Sequence, residues 1–227
     1  MTELLWGTPQ PPSRGPKPAV TLAGIAEAAI RIADTEGLDA VSMQRVADDL
    51  PVTKMALYRH VPGKTELVAV MSDLAMGTPP ERPEQPWREA LRTWSMDLYE
   101  GFNRHPWLLL TTVGRRPVGP NELTWMEHGV RALTDSGLSG SEQFDAILVL
   151  SGHVRTLALQ TASLPGGRAG LTEEAFLGTF ATILTTQAER FPSLAAALRS
   201  SNQNNEGLEF GLERILDGLA VLIESRK

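Results

Sequence analysis

The chain has 227 residues, enough for one or two domains and a buried core that needs no covalent staples. It contains no cysteine, which excludes disulfides, thiolate zinc sites and cysteine nucleophiles. With 21 Lys and Arg against 27 Asp and Glu the net charge is −6, which argues against a uniformly basic nucleic-acid binder but leaves room for a local basic patch. Strictly apolar runs such as 146–150 and 219–223 reach five residues, far short of the roughly 20 of a membrane helix. The first residues show no basic stretch followed by an apolar one, so no secretory leader is expected and the natural compartment is the cytoplasm.

Residues 1–20 hold five prolines and little periodic apolar content, which predicts a flexible arm carrying Arg14 and Lys17. Those two cations suit a minor-groove contact, though a solvated arm is the plainer reading. Thr21 stands as a helix N-cap before Leu22, Ile25, Ala29 and Ile32, and Gly37 closes that helix. Ser42 caps a second helix with Met43, Val46, Ala47 and Leu50 on one face. After a break at Pro51-Val52, Thr53 caps a third helix that turns Leu57 inward and ends near His60. A fourth begins near Gly63-Lys64 and shows Leu67, Val70, Met71 and Leu74. Four prolines in 77–86 mark the clearest internal boundary. Beyond it, Trp87, Leu91, Trp94, Leu98 and Phe102 form a helical stripe, as do Leu123, Met126, Val130 and Leu133, closed by Gly137. Ser139 with Glu142 forms a capping box for a long helix running to about Ser163. Further helices follow after Thr172, at Pro192-Ser193 and over about 206–225. No useful stretch alternates with period two. The fold class is all-α, with a small helical unit over 21–66 and a larger one over 67–227.

The segment 43–62 meets the demands of a helix-turn-helix. A steep crossing needs a small residue on the first helix and apolar residues after the turn and inside the second, and Ala47, Val52 and Leu57 stand at those offsets. From Val52 to Thr65 there are three cations, Lys54, Arg59 and Lys64, and no acid. That is a local positive stripe, as a major-groove reader requires. An ordinary hairpin with a solvated basic face has the same spacing.

The run Ser42-Met43-Gln44-Arg45-Val46-Ala47, then Val52 through Val61 and Lys64, resembles the DNA-binding domain of TetR-family repressors over residues 21–74. Residues 208–219, LEFGLERILDGL, are similar to the tetracycline-repressor-like C-terminal domain. The resemblance implies a homodimer on double-stranded palindromic operator DNA, released by a small molecule held in the C-terminal helices. By position it implies Gln44, Lys54, Met55, Ala56 and His60 as base readers and Tyr58 and Lys64 as phosphate contacts. Arg59 takes either role, and Thr53 lies on the same outward face. Gln suits an adenine edge, Arg or Lys a guanine, and Met or Ala a thymine methyl. Tyr58 as a packing residue and His60 as a helix cap are the plainer alternatives. One departure is Pro51, where the family usually has glycine. Its fixed φ requires the turn to close differently, with the first helix ending earlier.

In the C-terminal unit the candidates for a ligand cavity are Trp94, Trp125, His128, His153 and Phe176. Trp107, Phe180 and Met126 are also expected to face the core. Polar residues on apolar helix faces are the better markers, because burial without a partner is costly, and His153, Arg155 and Gln160 lie within an apolar helix at 144–162. Leu208, Leu212, Ile215, Leu219 and Leu222 make a stripe with Gly207, Gly211 and Gly218 beside it. These glycines predict close approach of another helix, either in a dimer formed by the helices at 144–162 and 206–225 or within the chain. No metal-ligand spacing, nucleophile elbow or phosphate-binding glycine loop is present, so neither catalysis nor a cofactor is expected. Two alternatives stand beside the ligand-responsive regulator: an effector-independent DNA-binding repressor, and a helical ligand-binding or enzymatic protein whose helix-turn-helix is incidental.

Overall fold

The computed structural model describes residues 2–7, 20–114, 116–162, 173–200 and 207–226. Short polar side chains start the N-terminal helices. Thr21 accepts from the Gly24 amide to open α1 (Leu22–Glu36), Ser42 from Arg45 to open α2 (Met43–Asp49), and Thr53 from Ala56 to open α3 (Lys54–Tyr58). Gly37 ends α1 at φ 90°, a backbone setting that a side chain would strain. Then α4 (Lys64–Met76) leads from this three-helix unit into the larger domain. Ile25, Ile32, Val46, Leu57, Val61 and Leu67 are fully or almost fully buried and join the two units in one continuous core.

The larger domain consists of α5 (Trp87–Arg104), α6 (Leu108–Thr111), α7 (Pro120–Arg131), α8 (Gly140–Thr161), α9 (Glu173–Thr186), α10 (Pro192–Ser200) and α11 (Gly207–Glu224). Helix α8 opens with the reciprocal capping box of Ser139 and Glu142. It packs against α5 and α11, and Leu150, Val154 and Ala158 are buried there. Helices α9 and α10 pack on each other, burying Leu184 and Ala195 outside the main core cluster. Across the α5–α11 seam Arg88 pairs with Glu213 and Asp217, and Arg92 with Glu209 and Glu213. The hydrogen bond from Arg88 does most to hold Glu213 below the usual carboxylate range.

Several expectations change. The arm is not wholly irregular: Thr2–Trp6 form a short helix against α4, and the Trp6 indole donates to Val118 O at 3.0 Å. Arg14 and Lys17 lie outside the described residues. Leu74, Leu123 and Phe180 are exposed, because α4, α7 and α9 bury narrower faces than their apolar spacing suggested. The boundary stretch 77–86 is held against the larger domain. Pro79 is buried, and Arg82 makes a two-pronged bond to Asp97 on α5.

The glycines of α11 divide. A Cβ on Gly211 would fall 2.2 Å from the His153 ring on α8, so this glycine serves a crossing within the chain, whereas Gly218 faces open space. The buried face of α11 is Leu212, Leu216 and Ile223, rotated from the predicted stripe, with Leu208, Ile215, Leu219 and Leu222 half-buried beside it. Gly211→Ala should therefore destabilise the protein by about 1 kcal/mol, because overpacking outweighs the gain in helix propensity. In a His153→Ala background the same change should stabilise it. Urea unfolding of the four proteins checks this, and an identical effect in both backgrounds would contradict it.

Candidate nucleic-acid interface and ligand cavity

The turn of the helix-turn-helix closes without a left-handed residue. Helix α2 stops at Asp49, and Leu50 is extended (φ −118°, ψ 150°), as a residue before proline prefers. The Val52 amide donates back to Leu50 O at 2.7 Å, a three-residue turn about Pro51. Leu57 and Ala47 are buried at the crossing, which leaves the other face of α3 to solvent. Gln44, Thr53, Lys54, Met55, Tyr58, Arg59, His60 and Lys64 are exposed, and Ala56 is half-buried. Met55 is 73% exposed, so nothing in the subunit explains an apolar side chain there. Among the described residues, Lys54, Arg59 and Lys64 enter no ion pair. The cations behind them are committed, Arg31 to Asp49 and Arg45 to Glu36 and Asp49. Gly63 opens α4 without a side-chain hydrogen bond to cap it, with Lys64 as the first helical residue and the Glu66 carboxylate close to Gly63 in the same turn.

Polar contacts join this head to the larger domain. Asp34 near the end of α1 accepts from the Trp107 indole at 2.7 Å and is bonded to His105 Nδ1 at 2.8 Å. On α4, Ser72 donates to Thr111 at 2.9 Å. The next residue, Asp73, accepts from the amides of Asn121 and Glu122, and so caps α7 from another helix. A Cβ on Gly119 would fall 2.1 Å from that carboxylate, which is why the chain is bare there. Burial raises the Asp73 pKa, against the opposing pull of the two amides and of Arg116. At the end of α4 the Trp125 indole donates to Gly77 O at 2.9 Å.

A cavity of about 590 Å³ opens beside α5 and the last turn of α7, within the size range of small-molecule sites. Its walls include Trp87, Trp94, Pro79, Pro83, His128 and Asp135. Trp94 meets Trp125 edge to face at 6.3 Å, and its indole donates to Trp125 O. Burial, reinforced by Arg131, lowers the His128 pKa and favours the neutral ring.

Residues 25–71 match the family described as bacterial regulatory proteins of the tetR family, and 79–223 match the tetracycline-repressor-like C-terminal domain. The chain belongs to the TetR family. It is 38% identical to the transcriptional repressor DrrR1 of Streptomyces coeruleorubidus over 99% of this chain and 86% of that one. Among solved structures it resembles apo ActR of Streptomyces coelicolor, at 30% identity with a TM-score of 0.74 over 90% of this chain and 98% of ActR. It is similar also to ActR in complex with actinorhodin, at 31% identity and a TM-score of 0.73 over 89% and 96%. This TetR-family protein is a DNA-binding transcriptional regulator, not an enzyme.

Of the five residues expected at a ligand, Trp94 and His128 line the cavity, and Trp125 stands behind Trp94. His153 lies elsewhere: its Nε2 is bonded to Leu208 O at 3.0 Å, which ties α8 to α11. The side chain of Phe176 lies outside the described residues. Arg155 spans the carbonyls of Leu109 and Thr112 and lies over Phe102, which accounts for a cation in an apolar helix. Two parts of the wall carry no ligand signal in the sequence: the prolines of 79–83, which read as a boundary, and Trp87, which reads as part of the apolar stripe of α5. The bonds to Asp34 and Asp73 left no local signal. Asp73→Ala should cost about 0.5–2 kcal/mol, as loss of a helix cap does. Asp73→Asn should cost less, since it keeps an acceptor and buries no charge. Folding raises this pKa, so stability falls as pH rises from the unfolded value of about 3.9 through the folded one. Urea unfolding at neutral pH checks the order of the two variants, and equal losses would contradict it.

Proposed function

We propose that this protein is a homodimeric, cytoplasmic repressor that grips a palindromic operator with α2 and α3 of each subunit. A small molecule entering the cavity beside α5 and α7 releases it. The observation that carries this reading is the exposed cationic head, with Lys54, Arg59 and Lys64 outside any ion pair among the described residues and no acid from Leu50 to Thr65. Gln44, Lys54, Met55, Ala56 and His60 read base edges, with Arg59 on a base or a phosphate. Tyr58, Thr53 and Lys64 hold phosphate, Lys64 at the start of α4, which no side chain caps.

The proposed dimer face has apolar side chains that the subunit leaves in water. Phe144, Leu148 and Leu159 on α8 and Phe210 and Val221 on α11 are each at least half exposed. Gly152 and Gly218, with nothing within 4 Å, leave room for a partner's backbone. The two helices from each subunit would make a four-helix interface with two-fold symmetry. ActR has been captured with actinorhodin and with (S)-DNPA, which supports a small-molecule effector here too. Trp94 and the neutral His128 offer it aromatic and hydrogen-bonding surface. The effector needs only to favour the state that does not fit DNA. Half-sites lie about 34–36 Å apart, so a tilt of α4 that changes the separation of the two heads weakens both contacts.

Footprinting on the DNA flanking its own gene and on neighbouring promoters tests the reading. Lys54→Ala should weaken binding and relax the preference at one or two base pairs. Lys64→Ala should weaken binding to all duplexes alike and reduce the salt slope by about one unit. A protein that protects no specific duplex at moderate salt would contradict the proposal.

A further inference from the structure

We propose that Asp48 is a positioning residue that sets which base Gln44 reads; this rests on Gln44 being a base reader. The two side chains lie one turn apart on the exposed face of α2, and Gln44 Nε2 donates to Asp48 Oδ1 at 2.8 Å. An ionised carboxylate only accepts, so the atom facing it is the amide nitrogen, and the bond fixes the sense of the amide. The nearby cations are engaged elsewhere. Arg31 is bonded to Asp49 and Arg45 to Glu36, with Asp49 3.9 Å from Arg45, so Arg45 attracts Asp48 through space without pairing with it, and Asp48 enters no ion pair among the described residues. An acid on a DNA-facing surface repels phosphate, so its place beside Gln44 calls for a compensating use.

That use follows from the groove chemistry. Adenine presents an acceptor and a donor, N7 and N6–H, whereas guanine presents two acceptors, N7 and O6. A free glutamine amide can offer its oxygen and one N–H to adenine, or turn both N–H groups toward guanine. With one N–H held by Asp48, Gln44 keeps one donor and one acceptor, the pair that matches adenine. Asp48 thereby selects adenine over guanine at the base pair under Gln44 without touching the DNA.

The test is binding of the full-length protein, at one salt concentration, to its footprinted operator and to duplexes substituted at each base pair. Gln44→Ala should locate the position by flattening the preference there. Asp48→Ala should relax adenine over guanine at that same position by about tenfold, within the discrimination a bidentate contact supplies. Asp48→Asn should also relax it, because an asparagine amide can pair with Gln44 in either sense. Asp48→Glu, which still only accepts, should retain the preference. Adding Asp48→Ala to Gln44→Ala should change the preference no further. Ala and Asn variants that tighten binding to every duplex by one common factor, with the preference intact, would reduce Asp48 to a surface charge and overturn the proposal. A Gln44→Ala protein with unchanged preference at every base pair would instead remove Gln44 from base reading, and the proposal with it.

Discussion

The half-buried carboxylate of Asp73 lies between the end of α4 and the first turn of α7, where it satisfies amides that α7 cannot satisfy itself. Burial makes the carboxylate costly to ionise, and the two amides offset that cost only when helix and cap are in register. The bond therefore favours one placement of α4 on α7 over small slips. Ser72 to Thr111 before it and Gly77 to Trp125 after it hold the same two turns of α4. Trp125 in turn accepts from Trp94, which lines the cavity. A continuous path of hydrogen bonds thus runs from the cavity wall to the helix whose first residue is Lys64. Asp34 adds a second joint, tying α1 to the corner between α5 and α6.

The reading head is organised on the opposite principle. Its buried side is apolar and fully packed, and its charged side chains are sorted by height. Arginines behind the head are paired with acids, while Lys54 on α3, Arg59 just past it and Lys64 at the start of α4 face solvent unpaired among the described residues. In an acidic chain this sorting, rather than net charge, creates the local field that a phosphate backbone would meet.

Much of the N-terminal unit was legible because its determinants are local. Thr21, Ser42 and Thr53 each bond within three residues of themselves, as the Ser139–Glu142 box does in the larger domain, and Ala47, Val52 and Leu57 act through spacing alone. Pro51 was legible as a departure, and its consequence followed from the restriction it places on Leu50. What spacing could not reveal were partners distant in sequence. His153 stood out as a polar residue on an apolar face, but nothing local distinguished a cavity from the carbonyl of Leu208. Gly211 and Gly218 look alike in sequence; only the neighbouring helix separates them. The prolines of 77–86 signal absence of helix, which is true of a linker and of a cavity wall alike, and the bond from Arg82 to Asp97 makes it the latter. Asp73 and Trp6 carried no pattern, because a carboxylate that caps a remote helix and an indole that reaches a remote carbonyl leave no periodic trace.

If α4 joins reader to sensor, the coupling is reciprocal, and DNA at the head must be felt at the cavity. Amide hydrogen exchange of the full-length protein, with and without its footprinted operator, measures this directly. Operator binding should slow exchange in residues 43–65, where DNA would lie, and also in 72–77 and 120–125, where Asp73, Gly77 and Trp125 join the domains. Slowed exchange confined to 43–65, with 72–77 and 120–125 unchanged, would contradict it.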